Sequence, residues 1–186
     1  MFSMDDLYYQ LKNAENLEYA TVIQDLIKEL WKESTNCYLR NQLDIGISTL
    51  LEGKHEDALQ QFSKVVESDP SYGEAWNKKA TVHYTLGQTD HAIRSAEESL
   101  RLDDRNFQAL AQRGLIEMEA LRYDDAIDYF RKCVSLNPWM GTVCSRLSVC
   151  LSKVEKGDSW MNDQDTENPR GRMGVEWPWE QEKKSS

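Results

Sequence analysis

No part of this chain approaches the roughly 18 consecutive apolar residues that a membrane-spanning helix requires, so insertion into a bilayer is not expected. The opening residues, Met1-Phe2-Ser3-Met4-Asp5-Asp6, lack the basic start and apolar core of a secretory signal and the arginine-rich, acid-poor character of a transit peptide. The expected setting is soluble and intracellular: the cytoplasm or, with a transit peptide already removed, a mitochondrion or plastid. Basic residues are also short, 22 Lys and Arg against 32 Asp and Glu for a net charge of −10. Phosphate contact needs clustered cations to displace counterions, so no nucleic-acid partner is expected, and the acid excess reads as a solubilising surface. Cysteine is sparse and has no CxxC spacing. Three of the four, Cys133, Cys144 and Cys150, stand among apolar residues at helical spacing, and with Cys37 they read as small residues of a reduced protein, although their even number leaves a disulfide open. The three histidines, His55, His83 and His91, share no metal-site spacing, and His83 reads as a packing residue. Nucleophile motifs are missing, and Gly171-Arg172-Met173-Gly174 has no helix after it to bind a phosphate. Catalysis, a metal and a cofactor are therefore not expected.

What the sequence does have is a period of 34 residues. At that spacing Gly46, Ala80 and Gly114 coincide, as do Ala58, Ala92 and Ala126, then Phe62, Ala96 and Phe130, then Pro70, Asp104 and Pro138. A fixed period with small residues at fixed places and a closing proline predicts stacked helix-turn-helix units. They span 39–72, 73–106 and 107–140. Small residues let paired helix axes approach; Phe62 and Phe130 fill the space between units, while beside Ala96 a neighbour such as Tyr84 or Trp76 is expected to supply the bulk. Gly53 and Gly87 mark two turns, and Leu121 breaks the pattern in the third, predicting either a different turn or about 1 kcal/mol of strain. Glu56 or Asp57, Thr89 or Asp90, and Asp124 or Asp125 are expected to cap the helices that follow. Pro70 and Pro138 stop the second helices.

Flanking segments complete the plan. Met4 to Lys12 and Leu17 to Trp31 predict helices, the second with Leu17, Ala20, Ile23, Ile27, Leu30 and Trp31 on one stripe, so residues 1–38 are expected to cap the array. Residues 141–157 predict a solitary C-terminal capping helix closed by Gly157. Composition changes at residues 158–186, which read as an extended or disordered tail whose Trp160, Trp177 and Trp179 are expected to dock on the solenoid or on a partner.

These residues resemble the tetratricopeptide repeat. The first unit carries Gly46, Gly53, Ala58, Phe62 and Pro70; the second Trp76, Ala80, Gly87 and Ala92; the third Gly114, Tyr123, Ala126, Phe130 and Pro138. More narrowly, Glu74-Ala75-Trp76-Asn77-Lys78-Lys79-Ala80-Thr81, the Leu26 to Trp31 segment and Gly114-Leu115-Ile116 resemble small stand-alone bacterial repeat proteins and their organellar relatives. The resemblance implies an all-α, right-handed solenoid whose first helices line a concave groove that binds a peptide or protein segment. Groove residues by that register include Leu43, Asp44, Ile47, Glu74, Asn77, Lys78, Thr81, Tyr84, Gln108, Gln112, Leu115 and Met118. Equally, Leu43, Ile47, Leu50 and Leu115 are candidates for simple packing against the N-terminal helix or the tail.

Co-chaperone repeats grip the C-terminal carboxylate of Hsp70 or Hsp90 with a clamp of Lys, Asn, Asn, Lys and Arg. The matching places here hold Leu43, Ile47, Lys78, Gln108 and Gln112, so that partner is disfavoured. Two readings remain: a non-catalytic adaptor working through its groove, and a structural subunit of a larger, conceivably organellar, assembly held by its convex face and tryptophan tail.

Overall fold

Apolar and small residues recurring at helical spacing, interrupted every 15 residues or so by a turn, leave the chain no alternative to short helices that bury one stripe each. In the computed structural model, which describes residues 3–33 and 36–158, the described residues form helices and no strand. In chain order they are α1 (Met4–Lys12), α2 (Leu17–Trp31), α3 (Cys37–Leu51), α4 (His55–Ser68), α5 (Gly73–Thr85), α6 (Thr89–Leu102), α7 (Phe107–Glu119), α8 (Tyr123–Leu136) and α9 (Gly141–Asp158). Helix α9 runs one residue past the glycine expected to close it. The tail from residue 159, with Trp160, Trp177 and Trp179, lies outside the described residues.

The chain divides into two packing units, one of Gln24–Arg113 and one of the residues up to Ile23 with those from Gly114 onward. In the first, α3 packs on α4, α4 on α5, and α5 on α6. Leu39, Leu43, Ala58, Phe62, Val65, Val66, Tyr72, Ala75 and Val82 form one buried cluster there, and Trp76 packs against it. In the second unit α9 packs on α8, and α1 also lies against α8. Cys133, Cys144 and Cys150 are buried there as thiols outside any disulfide; burial pushes the Cys133 thiol up to about 12, where it is chemically inert.

The small residues of the period sit where two helices meet. A Cβ built on Gly46 would come within 2.6 Å of the Phe62 ring, and one on Gly114 within 2.5 Å of the Phe130 ring. Where the second helix carries Ala96 instead of Phe, the first carries Ala80, and both are completely buried. The missing bulk in the middle repeat is therefore returned in part at the facing position itself.

Each first helix ends in the same Schellman turn. Gly53 N–H donates to Leu50 O and Lys54 N–H to Thr49 O; Gly87 and Gln88, then Leu121 and Arg122, repeat both bonds with their counterparts. Gly53 and Gly87 have φ of 78° and 71°, and Leu121 adopts 61°. The third turn is therefore the same turn, and Leu121 carries the left-handed strain of about 1–2 kcal/mol. The expected side-chain caps do not form. Lys54, Gln88 and Arg122 occupy the N-cap places of α4, α6 and α8 without a side-chain cap bond, and Glu56, Asp57, Asp90, Asp124 and Asp125 fall in the first turns. A tight turn fixes where the next helix starts, so these acids lie inside it and act on its dipole instead.

Two outcomes test this packing. Gly114→Ala should lower stability, because overpacking costs about 1–3 kcal/mol against roughly 1 kcal/mol gained from helix propensity. In a Phe130→Ala background the same change should become neutral or stabilising, as urea midpoints of the four proteins would show. The second outcome concerns His83, which is buried with Nδ1 2.7 Å from Gln88 Oε1 and its ring 5.1 Å from that of His91. Burial lowers its pKa, the Gln88 bond opposes, and Lys79 and His91 assist the lowering. The unfolded chain thus binds more protons at this residue, so stability is full above about pH 6.5 and is lost as pH falls below it. His83→Gln should flatten the decline of stability between about pH 7 and pH 5; an unaltered slope would remove His83 from the account.

Candidate functional site

Helix periodicity places the second, fifth, sixth and ninth residues of α5 on one face, and these are Glu74, Asn77, Lys78 and Thr81. Glu74 is buried, its side chain only 1% exposed, and Lys78 Nζ sits 2.8 Å from its carboxylate. Asn77 donates to Glu74 Oε2 at 3.0 Å and, across to α7, to Gln108 Oε1 at 3.1 Å. Lys78 donates to the same Gln108 oxygen at 3.3 Å. Thr81 turns its hydroxyl back onto Asn77 O. The network therefore joins the starts of α5 and α7 and gives a buried carboxylate its hydrogen-bond donors. On the next turn of α7, Gln112 Oε1 is buried with no hydrogen-bond partner among the described residues.

The other expected groove residues are divided. Leu43 is completely buried inside the core cluster and is not available to a ligand, and Ile47 and Leu50 pack partly buried against that cluster. Asp44 is exposed and Tyr84 half-buried. Leu115 and Met118, both half-buried, belong to the packing unit that begins at Gly114.

One contact escaped the sequence reading. Trp31, at the end of α2, donates its indole N–H to Asp103 Oδ2 at 3.0 Å and sets its ring 4.8 Å from that of Phe107. One residue on, the Lys32 carbonyl accepts the Tyr72 hydroxyl. The end of α2 therefore sits where α5 and α7 begin. The signal was present as two aromatics at successive inner-helix starts, Tyr72 and Phe107, but nothing in the sequence says what covers them. Around the Tyr72 hydroxyl the field is negative: its ionisation is pushed up first by burial and then by Asp44 and Glu74, with Arg40 opposing.

Chemically the arrangement can hold polar and apolar groups of another chain, and it offers no reactive centre. Among the described residues no three His, Cys, Asp or Glu side chains gather as a metal site, and no helix is long and apolar enough to cross a membrane.

Comparison with known proteins agrees with this architecture. The tetratricopeptide repeat profile matches residues 43–90 and 77–138. DnaJ homolog subfamily C member 3 of Gallus gallus is 29% identical over 122 residues, covering 66% of this chain and 24% of that protein. A TPR repeat-containing protein of Rhizobium etli is 25% identical over 108 residues, 58% of this chain and 53% of the relative. The chain thus spans about half, or less, of the curated relatives it matches. Among solved structures, the Sgt2 TPR domain of Aspergillus fumigatus superposes with a TM-score of 0.61 at 15% identity, over 74% of this chain and 95% of that one. The first TPR of Spaghetti (RPAP3), bound to the HSP90 peptide SRMEEVD, gives 0.60 at 15% identity, over 63% and 93%. The profile covers more than half of the residues in the register of the three hairpins, and this chain belongs to the tetratricopeptide repeat family.

Proposed function

We propose that this protein is a non-catalytic interaction adaptor that holds a peptide or partner segment along α3, α5 and α7. The observation that carries the reading is the network of Glu74, Asn77, Lys78 and Gln108, a prearranged polar surface flanked by half-buried Thr81, Tyr84 and Gln112. Main-chain amides of an extended partner are suited to amide side chains such as Asn77, Gln108 and Gln112. Asp44, exposed on α3, extends the proposed surface.

The same network argues against a C-terminal carboxylate as the ligand. Lys78 stands at one of five clamp places, and its charge is already matched by a buried Glu74 at 2.8 Å. An incoming carboxylate would have to displace that pair and leave Glu74 buried without its cation, an arrangement that costs several kcal/mol. SRMEEVD, the peptide held by the first TPR of RPAP3, should therefore show no saturable binding in calorimetric titration. Saturable binding abolished by Lys78→Ala would overturn the carboxylate argument while keeping the groove.

A second reading, a structural subunit, is favoured by the face of α3 that points away from α4. Tyr38 and Asn41 are exposed, whereas their counterparts one period later, Tyr72 and Ala75, are buried, as are Asn106 and Ala109 after them. Ile45 is also exposed on this helix. This is a repeat-to-repeat surface without its neighbour among the described residues, suited to a partner subunit, with the tryptophan tail as an added anchor.

The two readings separate by affinity capture from the native source. Substituting Thr81, Tyr84 and Gln112 together, which leaves the Glu74–Lys78 pair in place, should abolish capture by an adaptor while leaving the circular dichroism unchanged. Deleting residues 159–186 should release an assembly subunit yet leave a groove adaptor bound. Undiminished capture by the triple variant would eliminate the groove.

A further inference from the structure

Leu121 is unfavourable in two independent respects. It occupies the left-handed conformation that glycine supplies at Gly53 and Gly87, and its side chain is 70% exposed. The backbone is held there by the two hydrogen bonds of the turn, but the side chain stays exposed, and an exposed apolar residue at a fixed, strained turn is reason to look for an occupant beside it. An open cavity of about 590 Å³ lies there, lined by Leu121 and Arg122 from the turn, by Tyr123, Asp124 and Asp125 from the start of α8, and by Lys153 and Val154 from the last turns of α9. Helix α9 ends at Asp158, and the chain continues through residues 159–186.

We infer that this cavity is the seat of the chain's own Trp160. Reach supports the assignment. From Val154 to Asp158 is about one helical turn, and two further residues extend at most about 3.6 Å each, which keeps the Trp160 Cα within roughly 13 Å of Val154. So short a tether holds the indole at an effective concentration in the millimolar range, sufficient to fill a weak apolar site. Trp177 and Trp179 hang on a tether roughly ten times longer, and their local concentration falls as about the −3/2 power of its length. Chemistry agrees with reach: Leu121 and Val154 offer an apolar face for the ring, and Asp124 offers an acceptor for its single N–H. The leucine in place of glycine thereby trades turn strain for a contact that glycine could not make. This inference goes beyond the groove reading and does not depend on it.

The test uses the full chain labelled with 5-fluorotryptophan and observed by fluorine NMR, the Trp160 resonance being identified by its loss in Trp160→Phe. In the native protein it should stand away from its position in urea, at all protein concentrations. Leu121→Gly should return it to the unfolded position. Leu121→Ala, which keeps the strained backbone but removes the apolar side chain, should do the same. Helix content is checked by circular dichroism, and Gly53 and Gly87 show that glycine is compatible with the turn. A Trp160 resonance already at the unfolded position, or one undisturbed by both substitutions, overturns the inference. So does displacement that vanishes on dilution, which would mark a second copy as the source, or a response confined to Trp177 and Trp179.

Discussion

Close approach of two helices within each hairpin is the constraint from which the rest follows. Phe62 and Phe130 are completely buried, and each ring lies where a Cβ on the facing helix would collide with it, so Gly46 and Gly114 are required by space rather than by backbone conformation. The middle repeat solves the same problem with two alanines, Ala80 and Ala96. Side-chain volume is shared across the helix pair, and neither position is interpretable without the other. Once each hairpin is so closed, its remaining apolar stripe can be covered only by another helix. In the unit of Gln24–Arg113 this is achieved by Tyr72, Ala75 and Val82 of α5 joining the cluster built on Phe62.

The turns set the phase of everything after them. All three end a first helix with the same pair of backbone hydrogen bonds, and the residue at the left-handed place is glycine twice and leucine once. A turn this tight decides which residue begins the next helix, and for that reason Lys54, Gln88 and Arg122 take the N-cap places although none has a side chain that caps. Paired acids one and two residues later act through the helix dipole, a weaker interaction than a capping hydrogen bond. In the third repeat Glu117, buried near the end of α7, receives Arg122 from beyond the turn at 2.5 Å and ties the ends of two helices together.

Polar residues on the inner helices follow a different logic from the core. Glu74 is as buried as a core leucine; Lys78 and Asn77 donate to its carboxylate, and Gln108 accepts from both of them. The consequence for recognition is that the cation at a clamp place is already engaged inside the chain. Beside this network the end of α2 is fastened by Trp31 and by the Lys32 carbonyl to the starts of α7 and α5. The starts of α5 and α7 are thus covered on one side by the chain itself.

By itself the sequence determined the helices, the three hairpins and the small-to-large pairing, because a 34-residue period imposes the same local solution three times and repetition averages out single-residue ambiguity. Tertiary structure alone decided that Leu43 is core while Asp44 beside it is exposed, that Leu121 keeps a glycine's conformation, and that Trp31 covers Phe107. Leu121 is held by the two backbone bonds of its own turn, and the other two share one physical reason. Each depends on which surface another element brings near, and periodicity fixes the face a side chain occupies on its own helix without fixing what that face meets.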